Sequence, residues 1–141
     1  MKRKCRNGLT IIEILIAMVL IGIAVAGLIA ANGSLTKVNG AGVELSTAEF
    51  LIEQVRERTV GMEFASLNSL DNRCYSPPLD ATGVELAGYS NYEQQIKVKH
   101  VTNDDLTIID NTGNSKYIRI SVDIVRDDRI VSSGRWIRAN Y

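Results

Sequence analysis

The sequence has little cysteine, which excludes a fold held together by disulfide bonds. The two cysteines are Cys5, within the basic first eight residues, and Cys74, far along the chain. If the first eight residues are removed, Cys74 has no partner in the same chain. We therefore predict no disulfide framework and no paired-thiol metal site, and we expect Cys74 to be a free thiol.

Histidine is almost absent as well, which argues against an enzyme. His100 is the only one and lies in the polar segment 97–100, so we expect a surface histidine without the partners that a catalytic triad or a histidine-based metal site would need. Acidic and amide side chains gather in two turns, at 103–105 and 110–114. Neither turn has the alternating spacing and final glutamate of a calcium-binding loop. We predict no catalytic residue, no metal and no cofactor.

The chain also lacks an excess of positive charge, since 16 basic and 16 acidic residues cancel. Four of the basic residues lie in the first eight positions, which contain no acid: Lys2, Arg3, Lys4 and Arg6. The rest of the chain then has 12 basic and 16 acidic residues. A mildly acidic body with dispersed charges gives no electrostatic footprint for nucleic acid. No nucleic-acid partner is indicated.

What the sequence does contain is one long apolar run, residues 9–31, in which Glu13 is the only charged residue. As a helix these 23 residues would extend about 34 Å, enough to cross the hydrocarbon core of a bilayer. Basic residues precede the run, and the first cation after it is Lys37. The positive-inside rule therefore places the N-terminus in the cytoplasm and the body on the other side.

Two simple explanations of the run, a secretory signal peptide and a plain one-pass anchor, do not explain why Glu13 is present. A secretory signal peptide has support from the small residues Ala24-Val25-Ala26 before Gly27, but the run exceeds the usual apolar length. A plain one-pass anchor explains the length and the orientation. In either case, a charge at membrane depth costs about 2.5–3.5 kcal/mol and brings no benefit.

The residues around Gly8 resemble the start of type IV pilins and of the related type II secretion pseudopilins. A short basic leader ends in Gly8, the bulky apolar Leu9 follows, and Glu13 lies four residues further on. Phenylalanine is commoner than leucine at the position of Leu9 in that family. The resemblance implies that prepilin peptidase cleaves between Gly8 and Leu9, and that the new amino group of Leu9 is N-methylated.

The resemblance also implies a role for Glu13 in assembly. Cleavage would leave a cationic amine on Leu9 at membrane depth, where an isolated ammonium and an isolated carboxylate are both costly. Glu13 of an incoming subunit would neutralise the Leu9 amine of a neighbour and draw the subunit into register. A pair between the two groups of one chain, one helical turn apart, is the alternative.

A stripe of small residues lies on one face of the same predicted helix. Gly22, Ala26 and Ala30 recur every four positions. Such a stripe lets membrane helices approach each other closely, as the core of a filament requires. Glycine and alanine are common in any membrane helix, so the stripe predicts helix packing and does not by itself identify a filament.

The remaining chain predicts an α+β fold. Residues 32–60 are predicted to continue the helix as an amphipathic half, with an apolar stripe at 45–55. Gly33, Gly40 and Gly42 could interrupt the helix, and Ser46 could cap a second helix that begins there. A continuous helix and a restart near residue 46 both remain open. Residues 61–91 are predicted as an irregular connection. A period of two then predicts an antiparallel sheet across 92–141, with strands at 92–101, 106–110, 117–125 and 129–138.

The sheet needs a cover for its apolar face, and the amphipathic half of the helix is the available one. The prediction is a long N-terminal helix, one half in the membrane and one half packed on a four-stranded antiparallel sheet. This is also the fold of pilins. The small body without a C-terminal cysteine pair favours a minor component over a major pilin.

Together these features predict a structural filament subunit and not an enzyme: a minor pilin or pseudopilin of a type IV pilus or a type II secretion pseudopilus. The leader at 1–8 would be removed in the bacterial inner membrane, and the chain would enter a periplasmic or extracellular filament. Expected partners are prepilin peptidase, other pilin or pseudopilin subunits and the inner-membrane assembly platform. The alternative is a single-pass, membrane-anchored periplasmic binding module that does not polymerise.

Overall fold

The computed structural model describes residues 10–113 and 115–140. By its internal contacts the chain separates into two compact units, Met1–Ala41 and Gly42–Tyr141. Helix α1 comes first, and a four-stranded sheet follows it in the second unit. The predicted α+β class is confirmed.

Helix α1 extends without interruption over Ile11–Gly61, 51 residues. The helix includes Gly33, Gly40 and Gly42, since a glycine costs only about 1 kcal/mol relative to alanine and no proline is present to break the hydrogen-bond ladder. The restart left open at Ser46 does not occur. Thr47 lies inside the helix and donates its hydroxyl to the carbonyl of Val43, 2.9 Å away.

The sheet is antiparallel, and its strands lie in the order in which they occur in the sequence. They are β1 (Arg73–Tyr75), β2 (Glu93–Val101), β3 (Tyr117–Arg126) and β4 (Arg129–Ala139). A single register shift, between Ile124 and Val125, interrupts the pairing of β3 with β4. The three long strands were predicted to within two residues at each end.

The predicted strand at 106–110 is wrong, because only Ile109 pairs there, in an isolated bridge with Val101. Asp105 accepts hydrogen bonds from the amide and the hydroxyl of Thr107. The chain therefore forms a turn here, in place of the hydrogen-bond ladder that a strand would form. The fourth strand, β1, lies instead in the segment predicted as irregular. That segment also contains the 3₁₀ helices Phe64–Leu70 and Ala87–Tyr89.

The core of the second unit is formed between α1 and the inner face of the sheet. The helix buries four residues of its predicted stripe, while Leu45, at the start of that stripe, is 49% exposed. The buried members are Ala48, Leu51, Ile52 and Val55 on the helix, Ile96 and Val98 on β2, Ile118, Ile120, Val122 and Ile124 on β3, and Leu67, Leu70 and Tyr92 outside these elements. The amphipathic half of the helix therefore covers the sheet, as expected.

Strand β4 contacts helix α1 through several residues, among them Gly134 and Arg138. A Cβ atom at Gly134 would lie 2.5 Å from Cγ2 of Ile52, so only glycine allows the helix to approach this closely. Arg138 donates hydrogen bonds to the carbonyls of Thr59 and Val60, at 2.8 and 2.7 Å. These carbonyls lie in the last turn of α1, where the helix itself supplies no donor.

Candidate functional site

The residues predicted to carry function lie at the start of the chain, and the structure describes only some of them. Gly8 and Leu9 lie outside the described residues. Glu13 lies in the first turn of α1 and is exposed. Its carboxylate makes no hydrogen bond or ion pair with any residue between 10 and 140 that the structure describes. Glu13 is thus available to a group outside the described chain.

The local sequence places Glu13 at a favourable point of the helix. Thr10 precedes it by three residues, and the amide of Glu13 donates to the Thr10 carbonyl at 3.1 Å and to its hydroxyl at 3.4 Å. Thr10 with Glu13 has the spacing of a capping box, a signal that the sequence analysis missed. The N-terminal end of a helix dipole also favours a carboxylate in this turn.

The apolar part of α1 is unburied along its whole described length. Thirteen large apolar side chains between Ile11 and Ile29 are each at least 44% exposed. Among the described residues, α1 is the only helix that is long and apolar enough to cross a membrane. An apolar surface of this extent is stable against lipid or against other apolar helices, and not against water.

The stripe of small residues shares this exposure. Gly22, Ala26 and Ala30 are all exposed on α1, and a Cβ at Gly22 would meet no atom within 4 Å. No described residue packs on the stripe. The spacing of four residues on one continuous helix keeps the three positions on the same side.

The described part of the second unit contains no cluster of side chains suited to a metal ion. No group of three or more histidine, cysteine, aspartate or glutamate side chains there could hold a metal ion. His100 lies with Nδ1 3.4 Å from the carbonyl of Ser115 and has its ring edge-on to Phe64. Hydrogen bonds from Thr107 lower the pKa of Asp105. This carboxylate stabilises a turn, as expected for residues 103–105.

Cys74 is exposed on β1, yet its surroundings oppose reactivity. Partial burial and the nearby carboxylate of Glu93 raise the pKa of the thiol to about 11. The Sγ atom donates a hydrogen bond to Oε1 of Glu93 at 2.7 Å. Since the thiolate is the nucleophile and the metal ligand, this thiol is suited to neither task near neutral pH.

Comparison with known families gives one match, at the start of the chain. Residues 3–29 match the model described as the prokaryotic N-terminal methylation motif. The chain therefore carries the type IV pilin-like prepilin signature, which implies processing by prepilin peptidase and association with the membrane. The matched range includes Gly8, Leu9, Glu13, Gly22 and Ala26. Searches of the curated proteins and of the solved structures give no match.

Proposed function

We propose that this protein is a non-catalytic structural subunit, a minor pilin or pseudopilin, of a type IV pilus or a type II secretion pseudopilus. The observation that carries the proposal is the methylation motif at the head of a helix whose apolar surface is left uncovered. The second unit has a buried core of its own, and the described residues before Gly42 are all exposed. Such a surface fits lipid first and neighbouring helices afterwards.

In the proposed pathway, the chain inserts into the bacterial inner membrane with its N-terminus in the cytoplasm. Prepilin peptidase cleaves between Gly8 and Leu9, and the amino group of Leu9 is methylated. The assembly platform then moves the subunit from the bilayer into a periplasmic or extracellular filament. The helices of neighbouring pilin or pseudopilin subunits take the place of lipid, and the stripe at Gly22, Ala26 and Ala30 allows their close approach.

In this proposal, the carboxylate of Glu13 brings the subunit into the filament by pairing with a positive charge. The carboxylate has no partner among the described residues, and an unpaired charge in an apolar setting is costly. The amine of Leu9 in an adjacent subunit is the complementary group. Pairing the two removes the penalty of both, so an incoming subunit is held at the one axial position where the charges meet.

The test replaces Glu13 by alanine and follows the chain from the membrane into filaments. Glu13→Ala should insert and be processed normally, but its amount in sheared filaments should fall about tenfold or more, because a buried partner charge is left unpaired. The matched control is Glu57→Ala, which removes an exposed glutamate from the second unit of the chain. Quantitative immunoblotting of membrane and filament fractions gives the measurement.

Two outcomes would contradict the proposal. Equal incorporation of the Glu13→Ala and unaltered chains would remove the role given to the carboxylate. The mass of the mature N-terminus tests processing separately, and we expect a chain that begins at methylated Leu9. Cleavage after Ala26, or no cleavage, would exclude the pilin route and favour the membrane-anchored binding module.

A further inference from the structure

Strand β4 leaves one edge of the sheet without a partner. Asn140 donates its amide to the carbonyl of Lys116 at 2.8 Å, so this residue faces β3. In an antiparallel ladder alternate residues face the same neighbour, and the register is unbroken from Ser132 to Ala139. The amides and carbonyls of residues 133, 135, 137 and 139 therefore face away from β3, where the described structure has no further strand.

The two edge strands of the sheet differ in length. Strand β1, at the far edge, has three residues, whereas β4 has eleven and extends about 36 Å at the usual rise. Natural proteins shorten or cover a sheet edge to prevent pairing with another chain. In β4 the edge is long and its outward-facing residues Ser133, Arg135 and Ile137 are exposed.

The outer face beside this edge has one cation without a described partner, Arg135, and one acid, Asp123, which accepts a hydrogen bond from Ser133 and pairs with Lys97. On the outer face of the sheet, Ser121 pairs with Lys97 on one side and with Arg135 on the other, and Arg119 lies between Lys99 and Ile137. Lys97 and Lys99 each have an aspartate partner, Asp123 and Asp71. Arg135, at the free edge, makes no hydrogen bond or ion pair with the described residues.

The same charges argue against a second copy of this chain as the partner. Strand β4 contains Arg129, Arg135 and Arg138 and no acidic residue, so two copies of the strand would set cations against cations. On the inner face, Glu49 of the helix accepts a hydrogen bond from Ser132 of β4. An incoming strand would therefore find the cation of Arg135 on its outer side and the carboxylate of Glu49 on its inner side.

We propose that the free edge of β4 binds an extended segment of a different protein as a fifth strand. The segment carries an acidic side chain opposite Arg135 and an apolar one opposite Ile137, both on the outer face. Main-chain hydrogen bonds to residues 133–139 would supply the affinity, and the alternating side chains would supply the specificity. This partner is additional to the filament contacts of α1.

The test uses the full chain in detergent micelles and three labelled synthetic peptides. The first alternates threonine and valine with two glutamates on one face. The second has lysines in place of the glutamates, and the third has the charge of the first but contains prolines that prevent a strand. Fluorescence anisotropy should show binding of the first alone. Hydrogen exchange should slow at the amides of residues 133, 135, 137 and 139 when it binds.

Charge reversal at the edge gives the decisive comparison. Arg135→Glu should weaken binding of the acidic peptide about tenfold and strengthen that of the lysine peptide. The matched control is Arg73→Glu on β1, an exposed arginine at the opposite edge, which should change neither affinity. Equal binding of the proline peptide, or an equal effect of Arg73→Glu, would overturn the proposal. Self-association of the chain that is lost in Arg135→Glu would also overturn it, in favour of a second copy.

Discussion

Gly134 sets the distance between helix and sheet, and its replacement tests how tightly the core is packed. Gly134→Ala should lower the free energy of unfolding by about 1–3 kcal/mol, because the new methyl overlaps Cγ2 of Ile52. Loss of glycine stiffens the unfolded chain and would offset only about 0.4–1 kcal/mol of this. Trp136, the single tryptophan, lies two residues away and reports unfolding by its fluorescence in denaturant titrations of the micelle-bound chain.

A second substitution shows whether the clash is the cause. Ile52→Leu removes the branched Cγ2 atom, so Gly134→Ala should cost clearly less in that background than in the unaltered chain. An additive pair of effects would indicate that the alanine acts elsewhere. Arg135→Lys, one residue away on the exposed side and without a described partner, should change stability by less than about 0.5 kcal/mol.

The environment of Cys74 predicts how the rate of its alkylation depends on pH. Partial burial, and then the Glu93 carboxylate, raise its pKa to about 11, which favours the neutral thiol. Alkylation of the folded chain at pH 8 should therefore be about 10–100-fold slower than that of the chain unfolded in denaturant, although Cys74 is exposed. The folded rate should continue to rise with pH beyond 9, where the unfolded rate levels off.

The experiment needs a chain with a single thiol, which Cys5→Ser provides. Glu93→Gln should accelerate alkylation of Cys74 because it removes the negative charge beside Sγ. Glu85→Gln, at another exposed glutamate, should leave the rate unchanged and serves as the control. A folded rate equal to the unfolded rate would contradict the protection of the thiol both by partial burial and by Glu93.

At the scale of elements, the sequence was informative wherever a pattern repeats. The length of the apolar run and the helical period of residues 45–55 predicted α1, and the alternation of apolar residues predicted β2, β3 and β4. Strand β1 has only three residues, too few to show a period of two. Residues 106–110 have apolar side chains but fold through the Asp105–Thr107 turn, and local hydrogen bonds outweighed β propensity there.

The candidate sites also differ in whether a local sequence pattern predicts them. The basic leader, Gly8, Leu9 and Glu13 form a local pattern in sequence, and the family match over residues 3–29 includes them. The contact of Gly134 with Ile52 and the capping of α1 by Arg138 join residues about eighty positions apart. The free edge of β4 depends on strand order. None of these could be predicted before the register of the strands was known.

At the scale of the whole molecule, the division into two units predicts which part of the chain needs a membrane. Every buried apolar residue in the described chain lies between Ala48 and Ile124, within the unit Gly42–Tyr141. The described residues before Gly42 are all exposed. A fragment of residues 42–141 should therefore be soluble without detergent and should unfold cooperatively, whereas the full chain should sediment with membranes.

The matched control is a fragment of residues 53–141, which keeps all four strands but lacks Ala48, Leu51 and Ile52. These residues cover the inner face of the sheet, and each large apolar side chain contributes about 1.5–3 kcal/mol on burial. Leu51 and Ile52 alone then account for about 3–6 kcal/mol. This loss reaches the lower end of the stability of small domains, about 5–15 kcal/mol, so the fragment should not fold. Cooperative melting of the shorter fragment, followed by Trp136 fluorescence, would show that the sheet is stable without its helical cover. The helix would then serve the membrane alone.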